Sequence, residues 1–193
     1  MTTERAASAP ARRLFFALWP DEDARSALGA ATAKAVRRSG GRPVPVGTLH
    51  VTLAFLGSVS TARLPELHRI ACEQATAFTQ DAPLSLTFER LGYFRRAHLL
   101  CVLGGEESRS AVALAAALKD ATAAAGFTPD LKPFQAHVTL ARKVADAANL
   151  PAVRPVLWRF AEFVLVDSRT DPSGPVYSVI ESYSLVKTQK ARE

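Results

Sequence analysis

The tetrapeptide His-Val-Thr-Leu occurs twice in this chain, as His50-Val51-Thr52-Leu53 and as His137-Val138-Thr139-Leu140. Together the copies hold two of its 4 histidines. Imidazole, with an unperturbed pKa of about 6.5, both takes and gives protons near neutrality. Two imidazoles on opposite sides of one phosphorus atom can run an in-line displacement. One removes a proton from the attacking oxygen and the other protonates the leaving oxygen. Threonine hydroxyls are short donors suited to non-bridging phosphate oxygens. Neither copy contains a carboxylate or a cysteine, which argues against a metal site of usual ligand composition. The expectation is phosphoryl chemistry with no metal and no cofactor.

Strands alternate their side chains between two faces, so His50 and Thr52 point one way while Val51 and Leu53 point the other. The same holds for His137 and Thr139 against Val138 and Leu140. Each motif can thus anchor its strand with two apolar residues and present an imidazole and a hydroxyl. The flanking elements repeat as well. A strand at Leu14–Trp19, then a helix and a Pro-bearing loop, lead to the first motif; a strand at His98–Leu103, then a helix and a second Pro-bearing loop, lead to the other. This reads as a duplicated strand–helix–strand unit, with each strand pair sharing a sheet. Two similar lobes facing across a groove are expected.

Turn and cap residues place the remaining elements. A helix runs from a cap near Asp21 to about Arg38, where Gly40-Gly41 stops it. A strand covers Leu49–Leu56, closed by Gly57 and Ser58, and a helix covers Thr61 to about Thr79. Strands near Leu84–Arg90 and His98–Leu103 flank a turn at Gly92–Arg96. The Ala-rich helix Ser108–Ala125 ends at Gly126, and a strand lies around Ala136–Ala141. A loop at Lys143–Pro155 precedes closing strands at Leu157–Asp167 and Val176–Val186, joined by the turn Asp171–Pro175.

Composition sets the bounds. With 193 residues, 48% apolar and 22% charged, the chain reads as one domain spanning residues 1–193 and not as a disordered, collagen-like or coiled-coil sequence. Residues 1–12, rich in Ala, Ser and Arg, read as a floppy leader, and residues 188–193 as a frayed tail. Arg12-Arg13 before Leu14–Trp19 superficially matches an export signal, but the apolar run is too short and ends in Pro20-Asp21-Glu22-Asp23. The longest apolar runs, Leu14–Trp19 and Ala111–Leu118, fall far below the roughly 20 residues of a membrane span. A formal charge of +6 favours acidic partners such as nucleic acid or phosphorylated metabolites. Cys72 and Cys101 lack ligand spacing and read as incidental thiols of a reduced, cytoplasmic protein. Nothing demands more than a monomer.

The paired motifs resemble the 2H phosphoesterase superfamily, and within it the bacterial RNA 2′,3′-cyclic phosphodiesterases, once called 2′-5′ RNA ligases. The resemblance spans nearly the whole chain. It includes Arg13-Leu14-Phe15-Phe16-Ala17-Leu18, the run from His50 to Gly57, the run from Pro133 to Arg142, and the closing strand pair with Tyr177 before Leu185. It implies an α+β fold of two pseudo-symmetric lobes, each a mainly antiparallel sheet with helices on its outer face, flanking a central groove. It implies metal-independent opening of a terminal 2′,3′-cyclic phosphate, on RNA ends or nucleotides, to a 2′-phosphate. By the same resemblance His50 is the general acid for the 3′ oxygen and His137 the general base for water. The duplication alone makes the two histidines equivalent.

Arg142 follows the second motif as the family pattern has it, and a guanidinium suits a phosphate. Strict alternation puts it on the face opposite His137, so it reaches the groove only if the strand ends or bulges near Ala141. Phe15, on one face with Arg13 and Trp19, is a candidate to stack on a terminal base or to pack in the core. Arg95-Arg96, beside Tyr93 and Phe94, is a candidate RNA-contacting turn or a solvated loop. His68 and His98 are expected to be structural or exposed. Two alternatives stand beside hydrolysis: 2′-5′ ligation by the reverse displacement, which water opposes by mass action, and an RNA-end-binding protein without turnover, against which both intact motifs speak.

Overall fold

The computed structural model describes residues 10–187 apart from residues 106, 107, 131, 148 and 173. Residues 1–9 of the expected leader and the whole expected tail, 188–193, lie outside the described residues. The first strand, β1 (Ala11–Leu18), starts inside the segment expected as leader. Its residues Leu14 to Leu18 are buried on both faces, with exposures from 0% to 3%, because each face packs into an apolar cluster of its own. Leu14, Phe16 and Leu18 enter the main core, while Phe15 and Ala17 enter a second cluster with Val164 and Val166.

Helix α1 (Glu22–Arg38) starts where expected, since Asp21 Oδ1 accepts the Ala24 amide at 2.7 Å. Acids in its first turn and Arg37 and Arg38 in its last suit the helix dipole. A short strand β2 (Arg42–Pro43) and a 3₁₀ turn lead to β3 (Val51–Ser60). Gly57 does not close β3. It takes φ +70° and carries the strand onward past a register shift against β1. Helix α2 (Leu64–Ala77) is shorter than expected because its first turn is 3₁₀ and Pro65 sits at its start. Strands β4 (Leu84–Phe94) and β5 (Leu99–Gly104) flank a tight turn at Arg95–Ala97, where His98 adopts φ 52°. Helix α3 (Arg109–Ala124) and β6 (His137–Arg142) follow.

The largest correction concerns the closing strands. The single strand expected at Leu157–Asp167 is two, β7 (Val156–Phe160) and β8 (Glu162–Asp171), broken at Ala161. β7 pairs with β4, whereas β8 pairs with β1 and with β9 (Gly174–Ser184). The break lets the chain leave one sheet and enter the other.

The strands form two antiparallel sheets, ordered β3-β1-β8-β9 and β2-β6-β5-β4-β7. The fold is α+β, and the sheet order repeats: β3-β1-β8-β9 matches β6-β5-β4-β7. Each strand–helix–strand unit does close its own strand pair, β1 with β3 and β5 with β6. The helices, however, cross over. α1 packs on β6 and β7 of the other sheet, and α3 packs on β3 and on α2. Trp158 on β7 donates its indole N–H to Ala24 O on α1 at 2.8 Å. The swap joins the lobes in one continuous core that includes Phe16, Leu53, Leu114, Val138 and Trp158. None of the described helices is long and apolar enough to cross a membrane.

Candidate active site

β3 and β6 approach each other where the two sheets meet. Val51 and Leu53 from one, and Val138 and Leu140 from the other, are at most 2% exposed and belong to the main core. The intervening residues face the opposite way. A cavity of ≈ 190 Å³ is lined by His50, Thr52, His137 and Thr139 together, with Arg142 and Phe15 also in its wall.

The way Arg142 gets there is the condition the sequence posed. Along β5 and β6 the register passes from Leu100↔Ala141 to Cys101↔Thr139, leaving Leu140 as an extra residue. Leu140 and Ala141 are therefore both buried in the core, and Arg142 returns to the cavity face. β3 carries the same bulge at the matching place, where Phe16↔Ala54 is followed by Ala17↔Thr52 and Leu53 is extra. The residue thereby returned to the groove is Phe55. It was not singled out from the sequence, although it stands five residues after His50 just as Arg142 stands five after His137.

Each imidazole is held by the carbonyl two residues before it. His50 Nδ1 lies 2.7 Å from Thr48 O, and His137 Nδ1 lies 2.7 Å from Gln135 O. A carbonyl only accepts, so Nδ1 carries the proton in both rings and Nε2 is left for chemistry. Aromatic rings fix the planes. His50 stacks on Phe15 (5.1 Å) and on Trp19 (5.2 Å), with Tyr177 edge-on at 5.2 Å. His137 meets Phe94 edge-on at 5.0 Å.

Burial disfavours the charged form of both rings in the open site. His50 is pushed down to about 4, chiefly by burial; Arg142, His137 and Arg25 add to this, and the bond to Thr48 opposes it. His137 is lowered too, by burial against the bond to Gln135. Among the described residues the cavity wall includes Arg13 and Arg142 and no carboxylate, a setting for an anion. Behind Thr139, Cys101 Sγ lies 3.9 Å from its hydroxyl, and burial raises that thiol to about 11, so it is an inert neighbour.

Phe15 is 3% exposed, so most of its ring is committed to His50, Tyr177 and the small groove-side cluster. Arg13 rests over Phe55, 4.7 Å from the ring centroid, and Trp19 is covered by Arg25 at 5.5 Å. The exposed Arg95 and Arg96 border neither this cavity nor the one beside it, whereas their neighbour Phe94 touches His137 and Tyr93 ties down the loop carbonyls of Val144 and Ala145. His68, near Tyr183 and Cys72, and His98, near Val144 O, stand away from the cavity. No three His, Cys, Asp or Glu converge as a metal-ligand group among the described residues.

A second cavity of ≈ 250 Å³ adjoins the first through Thr52, Phe55 and His137, with Phe94, Phe134 and Lys132 farther along its wall. A third, of ≈ 170 Å³, adjoins it through Val44, Thr48, Arg142 and Tyr177. The histidine-lined cavity is thus the middle of a groove.

The chain is similar to known proteins over most of its length. Residues 20–172 match the family model described as the 2′-5′ RNA ligase superfamily. A Thermus thermophilus protein named RNA 2′,3′-cyclic phosphodiesterase is 35% identical over 188 residues, covering 90% of each chain. An Escherichia coli protein of the same name is 28% identical, covering 91% of this chain and 98% of its own. The crystal structure of E. coli LigT complexed with 3′-AMP superposes with a TM-score of 0.79 at 27% identity, covering 92% of this chain and 99% of that one. With its duplicated sheets and paired histidine motifs, this chain belongs to the 2′-5′ RNA ligase superfamily.

Proposed function

We propose that this protein hydrolyses 2′,3′-cyclic phosphate ends of RNA, or of nucleotides, to 2′-phosphates, using its two motif histidines and no metal. The observation that carries the reading is the single cavity walled by both imidazoles, both threonine hydroxyls and Arg142. The relatives named RNA 2′,3′-cyclic phosphodiesterase support it.

In this reading the cyclic phosphate sits among Thr52, Thr139 and Arg142, whose donors take its non-bridging oxygens. His137 Nε2 removes a proton from water as the water oxygen bonds to phosphorus. The P–O3′ bond breaks, and His50 Nε2–H gives its proton to O3′. One proton is therefore shared by two rings, and the apparent pKa values belong to the pair. In the open site burial disfavours a proton on His50, and the charges of Arg142, His137 and Arg25 add to this. The substrate anion offsets the charge of Arg142 and favours protonation.

The adjoining cavities support the assignment of roles. The Phe55 ring, backed by Arg13, borders both the catalytic cavity and the one beside His137, and offers a stacking surface to the terminal base. On a ribose the 2′ oxygen lies toward the base and the 3′ oxygen toward C5′. A base on the His137 side turns O3′ toward His50. The catalyst works as a cytoplasmic monomer, with Cys72 and Cys101 as free thiols.

The test incubates the protein with adenosine 2′,3′-cyclic phosphate in excess EDTA and identifies the product. The reading requires 2′-AMP at an undiminished rate. A 3′-AMP product reverses the orientation, and loss of turnover with chelator removes the metal-free mechanism.

A further inference from the structure

The cavity on the His50 side of the groove carries an arrangement the hydrolytic step does not use. Arg42 on β2 and Arg142 on β6 are register partners, directly opposite each other across the antiparallel pair. Both line the ≈ 170 Å³ cavity, with Thr48 and Tyr177 beside them and no carboxylate in its wall among the described residues. Arg142 and Thr48 also line the catalytic cavity, so the two spaces are continuous. The β8–β9 turn closes on the Arg42 guanidinium: a Cβ on Gly174, at φ +136°, would stand 3.4 Å from Arg42 Nη2. The turn comes this near because a glycine occupies that backbone conformation.

Two arginines lining one cavity, one of them serving the reacting phosphate, fit a ligand with two phosphoryl groups. With the base on the His137 side, the C5′ end of the ribose points to this cavity. The second phosphoryl group nearest a 2′,3′-cyclic phosphate is the one on the 5′ oxygen of that same ribose. We propose that the Arg42 cavity is a subsite for a phosphoryl group on the 5′ oxygen of the terminal nucleotide. The inference rests on the hydrolytic reading above and narrows its substrate class: 5′-phosphorylated ends are preferred over a bare nucleoside cyclic phosphate. The 5′ group is either the diester of an RNA chain or the monoester of a free nucleotide.

The experiment measures kcat/KM in EDTA for three substrates: adenosine 2′,3′-cyclic phosphate, its 5′-phosphorylated form, and the dinucleotide ApA ending in a 2′,3′-cyclic phosphate. Each is tested on the wild type and on Arg42→Gln. One charge-assisted contact predicts a preference of about tenfold or more for a 5′-phosphorylated substrate, carried mainly by KM and shrinking with salt. In Arg42→Gln the ratio to the bare substrate falls to about 1, and Arg42→Lys restores part of it. A preference limited to the dinucleotide assigns the subsite to RNA chains, and one limited to the monoester assigns it to free nucleotides, provided that Arg42→Gln abolishes it. Equal rates in the wild type, or a preference that survives Arg42→Gln, overturn the subsite while leaving the hydrolytic reading intact. No turnover of any of the three substrates defeats the hydrolytic reading itself.

Discussion

The depressed proton affinity of His50 has a consequence for stability that needs no substrate. Its folded value of about 4 lies below the ordinary 6.5, with burial as the main cause. A histidine held neutral in the fold binds its proton more readily once unfolded, so stability is full above pH 6.5 and drains away as pH falls toward 4. Between pH 8 and pH 5 linkage puts the His50 contribution at about 2 kcal/mol, on a full range of about 3 kcal/mol. His50→Gln removes the titration and keeps a side chain of similar bulk. Urea unfolding of both proteins at pH 8 and pH 5 isolates the effect, because carboxylates and His137 respond in both. The wild type should lose about 2 kcal/mol more than the variant over that interval. Equal losses would refute the account of a ring held neutral between Phe15, Trp19 and Arg142.

Three further outcomes follow from particular contacts. Arg142→Ala should lower kcat/KM for a cyclic phosphate by about 10²-fold, and Arg142→Lys should recover only part of it, because a point charge lacks the bidentate fork; steady-state kinetics check this. Arg25 covers Trp19 and has Nε and Nη1 buried with no partner among the described residues. Arg25→Met should raise the His50 titration midpoint, read by NMR, because it removes one of the charges that lower it. An Ala Cβ at position 41 would lie 2.5 Å from Val144 Cγ2 and 2.8 Å from Arg142 O. Gly41→Ala should therefore cost about 1–3 kcal/mol in urea unfolding.

The elements that repeat were legible because repetition is a signal within one sequence. Two copies of His-Val-Thr-Leu, each behind a strand and a helix, announced the strand pairs β1–β3 and β5–β6. Asp21 and Gly126 marked helix ends by their own chemistry. What stayed hidden depends on partners far along the chain. The break at Ala161 follows from β7 and β8 joining different sheets, and nothing local in Leu157–Asp167 records that choice. The crossing of α1 and α3 to the opposite sheets is likewise a matter of packing, since one apolar helix face fits either sheet. The bulges at Leu53 and Leu140 lie between. Strict alternation puts Arg142 on the wrong face, yet Phe55 and Arg142 each stand five residues after a motif histidine, and that common spacing carries the trace of a common irregularity.

All of the proposed chemistry requires His50 and His137 to act as one unit on one phosphorus atom. The most direct measurement is a double-mutant cycle on cyclic phosphate hydrolysis, with His50→Ala, His137→Ala and the double variant, each checked for retained fold by circular dichroism. Either single change should cut kcat by ~10²–10⁴, and the double variant should be about as slow as the slower single one, since half of a proton relay does no work. A single variant that keeps the wild-type rate, or losses that multiply in the double variant, would contradict it.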